Sequence, residues 1–566
     1  MIKPFSFVSS NSTMKKQLLP LLLLVQFAVV AQTVGIIQNS DTSFNGYTLF
    51  APITGKTTYL IDNCGRIVNS WASNFRPGLS AYLLSNGDLL RGEAMGSAHP
   101  VYGSGGGAGG KIERTDWNGN LQWNYSYWDT EYVQHHDIVP LPNGNVLLLA
   151  WERFTRQQIK ALGRDTAKIA ASGYVWSEYI VEVQPSGINA GTIVWEWHFI
   201  NHVVQDYDVA QQNYGNVASH PELLDLNYTG LNITQEWIHA NSIDYNPTLD
   251  QILISSRLLG ELYVIDHSTT TAEAATHSGG NSGKGGDLLY RWGNPEAYRQ
   301  GNTNDRILYG QHSAKWIFDT ENAGKIIVFN NGQDRPQGDY STVEIFAPQI
   351  DTSGNYIKNV AGKYLPDTSF WVYKAPVPTN FFDNRISSGQ ELPNGNVLIC
   401  SGTHGKFFEV TKEGNIVWQY INPVTQAGIL SQGQTPSLFA NSSFRATRYA
   451  PNFSGFTGKT LTPGLPVELN PTSNNCVVSS VKEISTDTHF SVYPNPSSGN
   501  EVVLKTEEDL ISSEISLFDL NGKKLMAQKI EGTETILRLQ NFCNGIYFIQ
   551  LEKNKNRSVS KLVLAR

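Results

Sequence analysis

Charge, cysteine and long apolar runs are all scarce in this chain, and each scarcity excludes something. Only 16% of its 566 residues are charged, and the net charge is −8. With a pI near 5.9, no basic surplus is available for nucleic acid, so any anion site must be a local cluster. The four cysteines, Cys64, Cys400, Cys476 and Cys543, stand too far apart for a CxxC or zinc pattern. They leave a disulfide open without choosing its partners. One long apolar run, LLPLLLLVQFAVVAQ, follows Met14, Lys15 and Lys16. A basic start, a short apolar middle and a small residue at the end predict a secretory signal peptide over residues 1–31, and the run is short for a membrane span.

What is abundant is glycine (50), tryptophan (13) and aromatics in general (11%). Many turns and many aromatics at low charge point to an all-β protein. A pattern then repeats. One half is an extended run, an Asn/Asp/Gly turn and a second run ending in an aromatic. Copies are YLIDNCGRIVNSW, IERTDWNGNLQWNY, IVEVQPSGINAGTIVWEW and FFEVTKEGNIVWQY, with weaker ones at Leu262 to Pro295 and Val343 to Ile357. The other half is a run, a PNG-type turn and a buried run, as in SAYLLSNGDLLRG, HHDIVPLPNGNVLLLAW and SSGQELPNGNVLICSG. GYTLFAP reads as the last strand of a sixth such half.

Two hairpins make a four-stranded sheet that cannot bury both faces alone, and its repetition predicts a six-bladed β-propeller over residues 35–464. The terminal tryptophans suit packing between sheets. Insertions are expected at Arg153 to Tyr174, Asn201 to Gln235 and Asp266 to Asp287, and the segment from Phe444 to Gly464 is expected to close the ring. A linker follows over 465–489, and then a small β-sandwich over 490–566, signalled by alternation and Asn-Gly turns.

Three of the twelve histidines open the same half-repeat: His135, His239 and His312. Loops entering inner strands cluster at the mouth of a propeller channel, so these three are expected to converge. Aligning the buried runs pairs His135 with His239 and Asp137 with Asn241. His136 is expected to face away, because neighbours on a strand alternate. His99, His198, His202, His220, His267, His277, His404 and His489 lack the equivalence and read as structural or solvated. Three imidazoles can hold zinc, but Arg257 would repel a cation. Arginine offers a planar fork for sulfate, phosphate or carboxylate, and imidazole can be nucleophile or proton carrier. The mixture favours transfer of a charged group, with no metal.

The His239-X-Asn241 pair, Arg257 eighteen residues after His239 and the three blade-start histidines in this order resemble the bacterial arylsulfate sulfotransferase family. The resemblance implies a six-bladed propeller that moves a sulfuryl group from a phenolic sulfate donor to a phenolic acceptor. It also implies no cofactor, no phosphoadenosine phosphosulfate, and a transiently sulfurylated histidine. His312, in its QHSA context, matches the nucleophile; His239, Asn241 and Arg257 match the sulfate-binding group, and His135 the first histidine. Trp237, Trp316 and Tyr309 are candidates for stacking on the aryl ring, with blade packing the alternative. The chain departs from the family in having little room for an N-terminal β-domain and no cysteine pair near the site, so oligomeric state stays open. A non-catalytic ligand-binding propeller and a sulfatase-like hydrolase are the other readings of the same residues.

The tail motifs VYPNPSSGN, FDLNGKKL, NGIYFIQL and KLVLAR resemble the type IX sorting domain of Bacteroidetes. That resemblance implies a secretion machinery as partner and passage across the outer membrane to the surface or beyond.

Overall fold

The computed structural model describes residues 32–566 apart from 96–101, 103–105, 230–233, 473–475, 477–489, 520–522 and 554–555. The expected signal peptide, most of the linker, His99 and His489 lie outside the described residues.

Each double hairpin of the sequence is a four-stranded antiparallel meander. Blade 2 is Pro77–Leu83, Leu89–Ala94, Gly110–Thr115 and Leu121–Ser126; blade 3 is Tyr132–Pro140, Val146–Thr155, Tyr174–Ser186 and Ala190–His198. Blade 4 is Ala240–Asn246, Gln251–Ser256, Glu261–Asp266 and Tyr290–Trp292; blade 5 is His312–Trp316, Ile326–Asn330, Thr342–Phe346 and Trp371–Tyr373. In the PNG turns the glycine adopts the left-handed conformation that other residues resist, at φ +88° for Gly144 and +82° for Gly395.

The two remaining blades borrow strands across the chain. Blade 1 takes its inner strand, Ser443–Tyr449, from the end of the propeller and adds Tyr47–Pro52, Thr57–Ile61 and Ile67–Ala72. GYTLFAP is therefore the second strand of an inner hairpin whose first strand arrives last. Blade 6 is Ser388–Glu391, Val397–Ser401, Lys406–Val410 and Ile416–Ile421, with Gly35–Asn39 added outside as a fifth strand.

The fourth strand of each blade carries a tryptophan whose indole N–H donates to a carbonyl of the next blade. The bonds are Trp71 to Asp116 at 2.9 Å, Trp123 to Ala190 at 2.8 Å and Trp197 to Gly286 at 2.7 Å. Trp292 to Pro366 at 2.8 Å, Trp371 to Lys412 at 2.9 Å and Trp418 to Asn63 at 2.8 Å complete the circuit. Apolar clusters fill the spaces between neighbouring blades, for example Leu49, Leu60, Leu83 and Leu89 between blades 1 and 2. Bulk hydrophobic burial supplies the cohesion, and the indole bonds fix the spacing.

One expectation is corrected. The second run of Val343 to Ile357 is not the outer strand of blade 5. Thr342–Phe346 pairs instead with Trp371–Tyr373, while Tyr356 packs its ring 4.7 Å from that of Tyr290 in blade 4. Burial of the Tyr356 ring, which lies among tyrosines of the neighbouring blade, decides against the local hairpin.

The C-terminal unit has two sheets. Phe490–Tyr493, Glu501–Thr506 and Glu534–Arg538 form one; Lys524–Lys529, Glu514–Phe518, Gly545–Lys553 and Asn556–Leu564 form the other. Val502, Leu504, Leu517, Leu537, Ile549 and Leu562 make its own core. Cys64 and Cys476 form a disulfide, tying blade 1 to the start of the linker, while Cys400 (buried) and Cys543 (exposed) are free.

Candidate active site

The inner strands of blades 3, 4 and 5 share a local irregularity. His136, His239 and Ser313 have φ of +48°, +49° and +54°. In each blade the pairing of the inner strand slips nearby, between Leu148 and Ala150, between Ala240 and Ser242, and between His312 and Lys315. A bulge of this kind breaks strand alternation and re-aims side chains. His136 therefore does not face away, as alternation predicts. Its ring lies 4.9 Å from that of His239, and its Nδ1 is 2.8 Å from His135 Nδ1. His135 is fully buried behind it, stacked on Trp151 at 3.9 Å.

Hairpin geometry explains the spacing of the other groups. The Arg257 amide donates to the His239 carbonyl at 3.0 Å, because the two residues face each other across the paired strands of blade 4. The same relation in blade 5 puts Asn331 beside His312. His312 Nδ1 lies 2.7 Å from Asn331 Oδ1 and 3.0 Å from the Gly310 carbonyl, two acceptors that place the proton on Nδ1. The lone pair is left on Nε2, which takes no hydrogen bond from the described residues. Asn331 is held in turn, donating to the Asp383 and Ile386 carbonyls at 2.8 and 3.0 Å.

His239 differs in its support. Its Nδ1 bonds the Glu236 carboxylate three residues upstream. Neither Asn331 nor Glu236 was among the residues the sequence singles out. The first could have been found from its position nineteen after His312, matching Arg257 eighteen after His239. The second is a carboxylate one short turn before a site histidine.

Electrostatics favour neutral rings and an anion. Burial first, and then the neighbouring cations and imidazoles, hold His136 and His312 well below the ordinary 6.5. His135 is lowered in the same way, by burial and by His239. Arg257 Nη2 donates to Gln333 Oε1 at 3.2 Å and to the Asn384 carbonyl at 3.5 Å, leaving donors of its fork for a ligand. Burial lowers its pKa, and the nearby Arg385 guanidinium adds to the effect while Glu236 opposes it. A partly desolvated guanidinium, with the exposed Arg385 nearby, attracts an anion.

Asn241 has one end of its amide committed and the other, Oδ1, without a partner among the described residues. It is fully buried, and its amide donates to the Gln311 carbonyl at 2.6 Å, bracing the segment that delivers His312. Asp137 joins a second polar layer and accepts from the Ile243 amide at 3.3 Å. Arg445 Nη2 and Tyr82 Oη reach its carboxylate at 2.9 and 2.8 Å. Lys315 Nζ bonds Tyr82 Oη at 3.0 Å, and Arg445 Nε reaches Ser313 Oγ at 3.2 Å. Burial of Asp137 is outweighed by Arg445 and Lys315, which hold its carboxyl below the usual range. This layer ties the bulges of blades 3 and 5 to the closing strand of blade 1. Trp237 is buried, its indole bonded to the Tyr228 carbonyl at 3.1 Å and its ring under Arg164. Tyr309 and Trp316 are buried as well.

Solved structures with similar chain traces overlap only loosely. A protein of unknown function from Bacteroides caccae has a TM-score of 0.36 at 11% identity, covering 71% of this chain and 98% of its own. Virginiamycin B lyase from Staphylococcus aureus has a TM-score of 0.29 at 10% identity, covering 70% and 86%. No curated protein matches the chain. Residues 491–565 match the family described as "Secretion system C-terminal sorting domain". Residues 33–430, most of the propeller including His135, His239, Arg257 and His312, match the model described as "Arylsulfotransferase (ASST)". The chain belongs to the arylsulfotransferase family.

Proposed function

We propose that the protein transfers a sulfuryl group from an aryl sulfate to a phenol through a sulfohistidine on His312, without phosphoadenosine phosphosulfate. The observation that carries this reading is the division of labour between the two imidazoles. His312 has its proton fixed on Nδ1 by Asn331 and Gly310, so Nε2 is a lone pair with nothing to displace. His239 is backed by a carboxylate on Nδ1, which orients its ring for proton transfer at Nε2.

In the first half-reaction, His312 Nε2 attacks sulfur as the aryl O–S bond breaks. The phenolic oxygen takes the proton from His239 Nε2 and leaves as phenol. Positive charge growing on the His312 ring is eased by the Asn331 carbonyl at Nδ1–H. Arg257 binds the sulfuryl oxygens in a loose transition state governed by positioning and charge. In the second half, neutral His239 removes the acceptor's proton and the phenolate takes the sulfuryl group, regenerating His312. His136 lines the site beside His239, His135 and Trp151 hold His136, and Asn241 positions the His312 segment. The N-terminal segment and the C-terminal sandwich serve export, the first into the periplasm and the second across the outer membrane.

The test is p-nitrophenyl sulfate with and without added phenol. Nitrophenolate release that depends on the phenol, with ping-pong kinetics and an 80-dalton adduct (about the mass of SO₃) on the His312 peptide, is expected. Release without acceptor makes it a sulfatase, and no release makes it a binding protein; either result sinks the proposal.

A further inference from the structure

The insertions of blades 3 and 4 bring a second group of ligating side chains together, outside the histidine cluster. His202 follows the last strand of blade 3. His277 and Asp287 bracket the glycine-rich loop between the third and fourth strands of blade 4. His202 is fully buried, its ring parallel to Trp197 at 5.5 Å. Its Nε2 lies 2.8 Å from the Ala274 carbonyl, an acceptor only, so that nitrogen carries a proton. Its Nδ1 sits 2.9 Å from Asp287 Oδ1. His277 Nδ1 lies 2.7 Å from the same oxygen. Two imidazole nitrogens thus converge on one carboxylate oxygen.

The loop is shaped to make this approach. The Gly285 and Gly286 amides bond back to the Gly279 and Thr276 carbonyls, each at 3.0 Å. A Cβ on Gly286 would lie 2.5 Å from His202 Nε2 and 2.1 Å from the Ala274 oxygen, so only glycine lets the loop close. Neither histidine has an equivalent in another blade, which is why sequence spacing does not single them out.

We infer that His202, His277 and Asp287 bind a divalent cation of the zinc type. Their ligand atoms lie within 4.8 Å of one another. Tetrahedral bonds of about 2.0–2.1 Å set donors ~3.3 Å apart, so the two close pairs need open by only about 0.5 Å. The Ala274 carbonyl is the outer partner that fixes the tautomer of a metal-bound imidazole. His277 is 61% exposed, which gives the ion a route in and leaves a coordination position to water. The ion fastens the loop beside Gly286, whose carbonyl also receives the Trp197 indole, and so secures blade 4 to blade 3.

The test is titration of chelator-stripped, full-length protein with Zn²⁺ and Co²⁺ alone. One tight equivalent, visible Co²⁺ bands of a tetrahedral nitrogen and oxygen site, and a raised thermal midpoint are expected. His277→Ala, a surface change, weakens uptake at least tenfold (the order seen when ligand support is lost) and leaves turnover of p-nitrophenyl sulfate unchanged. His312→Asn keeps the equivalent. The inference is overturned by no uptake in the wild type, by equal uptake in His277→Ala, or by uptake that His312→Asn abolishes and His277→Ala does not.

Discussion

Glu236 makes the sharpest claim at the level of single residues, because its value depends on the substrate. An acid matters most when the departing phenol is basic. Glu236→Gln is therefore expected to lower kcat/KM by about 10²-fold with a plain phenyl sulfate and much less with p-nitrophenyl sulfate. Equal losses with both donors, read from a series of leaving groups, would remove Glu236 from proton transfer. His312→Asn is expected to lower turnover by ~10³-fold or more and to abolish the mass adduct. His312, His239 and Arg257 are legible in the sequence because a hairpin fixes residue spacing and the hairpin turns are plainly written. Glu236 is not, because it precedes the strand and belongs to no repeat. Asn241 is readable as a polar residue of the site strand, but nothing in the sequence says that its amide N–H also braces Gln311.

At the level of the strand, the left-handed residues of blades 3, 4 and 5 carry the site. Regular alternation would turn His136 of the His135–His136 pair away from the site, and a periodicity of two contains no mark for where it fails. That is why His136 is misplaced by pattern alone. Its ring has a tight neighbour: a Cβ on Gly107 would lie 2.4 Å from it, at a glycine with φ +90°. Gly107→Ala is expected to push His136 toward His239 and lower kcat/KM several-fold while far-ultraviolet dichroism stays unchanged.

The strand environments also set opposite responses to acid. His136 stays neutral when folded but protonates when unfolded, so the stability it carries is present above pH 6.5 and is lost as pH falls below that value. His267 is the converse. Burial alone would lower its pKa, but Glu182 and Asp250, at 2.9 and 2.8 Å, raise it. Its stability is present below pH 6.5 and fades as pH rises through the raised value. Thermal midpoints at pH 5.5 and 7.5 test both: His136→Asn should shrink the loss on acidification, and His267→Gln should enlarge it.

For the whole molecule, the blade count and order follow from six turn-punctuated repeats, and the tryptophans that end them are the residues that join blade to blade. The outer strand of blade 5 hides because its tryptophan, Trp371, is separated from its hairpin partner by a long insertion. Closure is less visible still, since pairing Tyr47–Pro52 with Ser443–Tyr449 spans nearly the whole propeller. A chain cut after Cys476 retains every propeller strand and the disulfide partner, so it is expected to keep full activity and one cooperative unfolding transition. A chain cut at residue 440 lacks the inner strand of blade 1 and the arginine bonded to Asp137. It is expected to be inactive and to unfold without a sharp transition. Calorimetry of the two truncations distinguishes these outcomes.

The borrowed strands also govern timing. As the polypeptide emerges from the ribosome, blade 1 waits for some four hundred residues before its inner strand exists, and such distant pairing is slow to form. Translation therefore hands over a chain whose ring is still open. An open chain is the form a narrow translocation pore can thread. On the proposed export route the ring closes after crossing, where oxidation can join Cys64 to Cys476. On the proposed function and export route, late closure separates the moment of synthesis from the moment of catalysis.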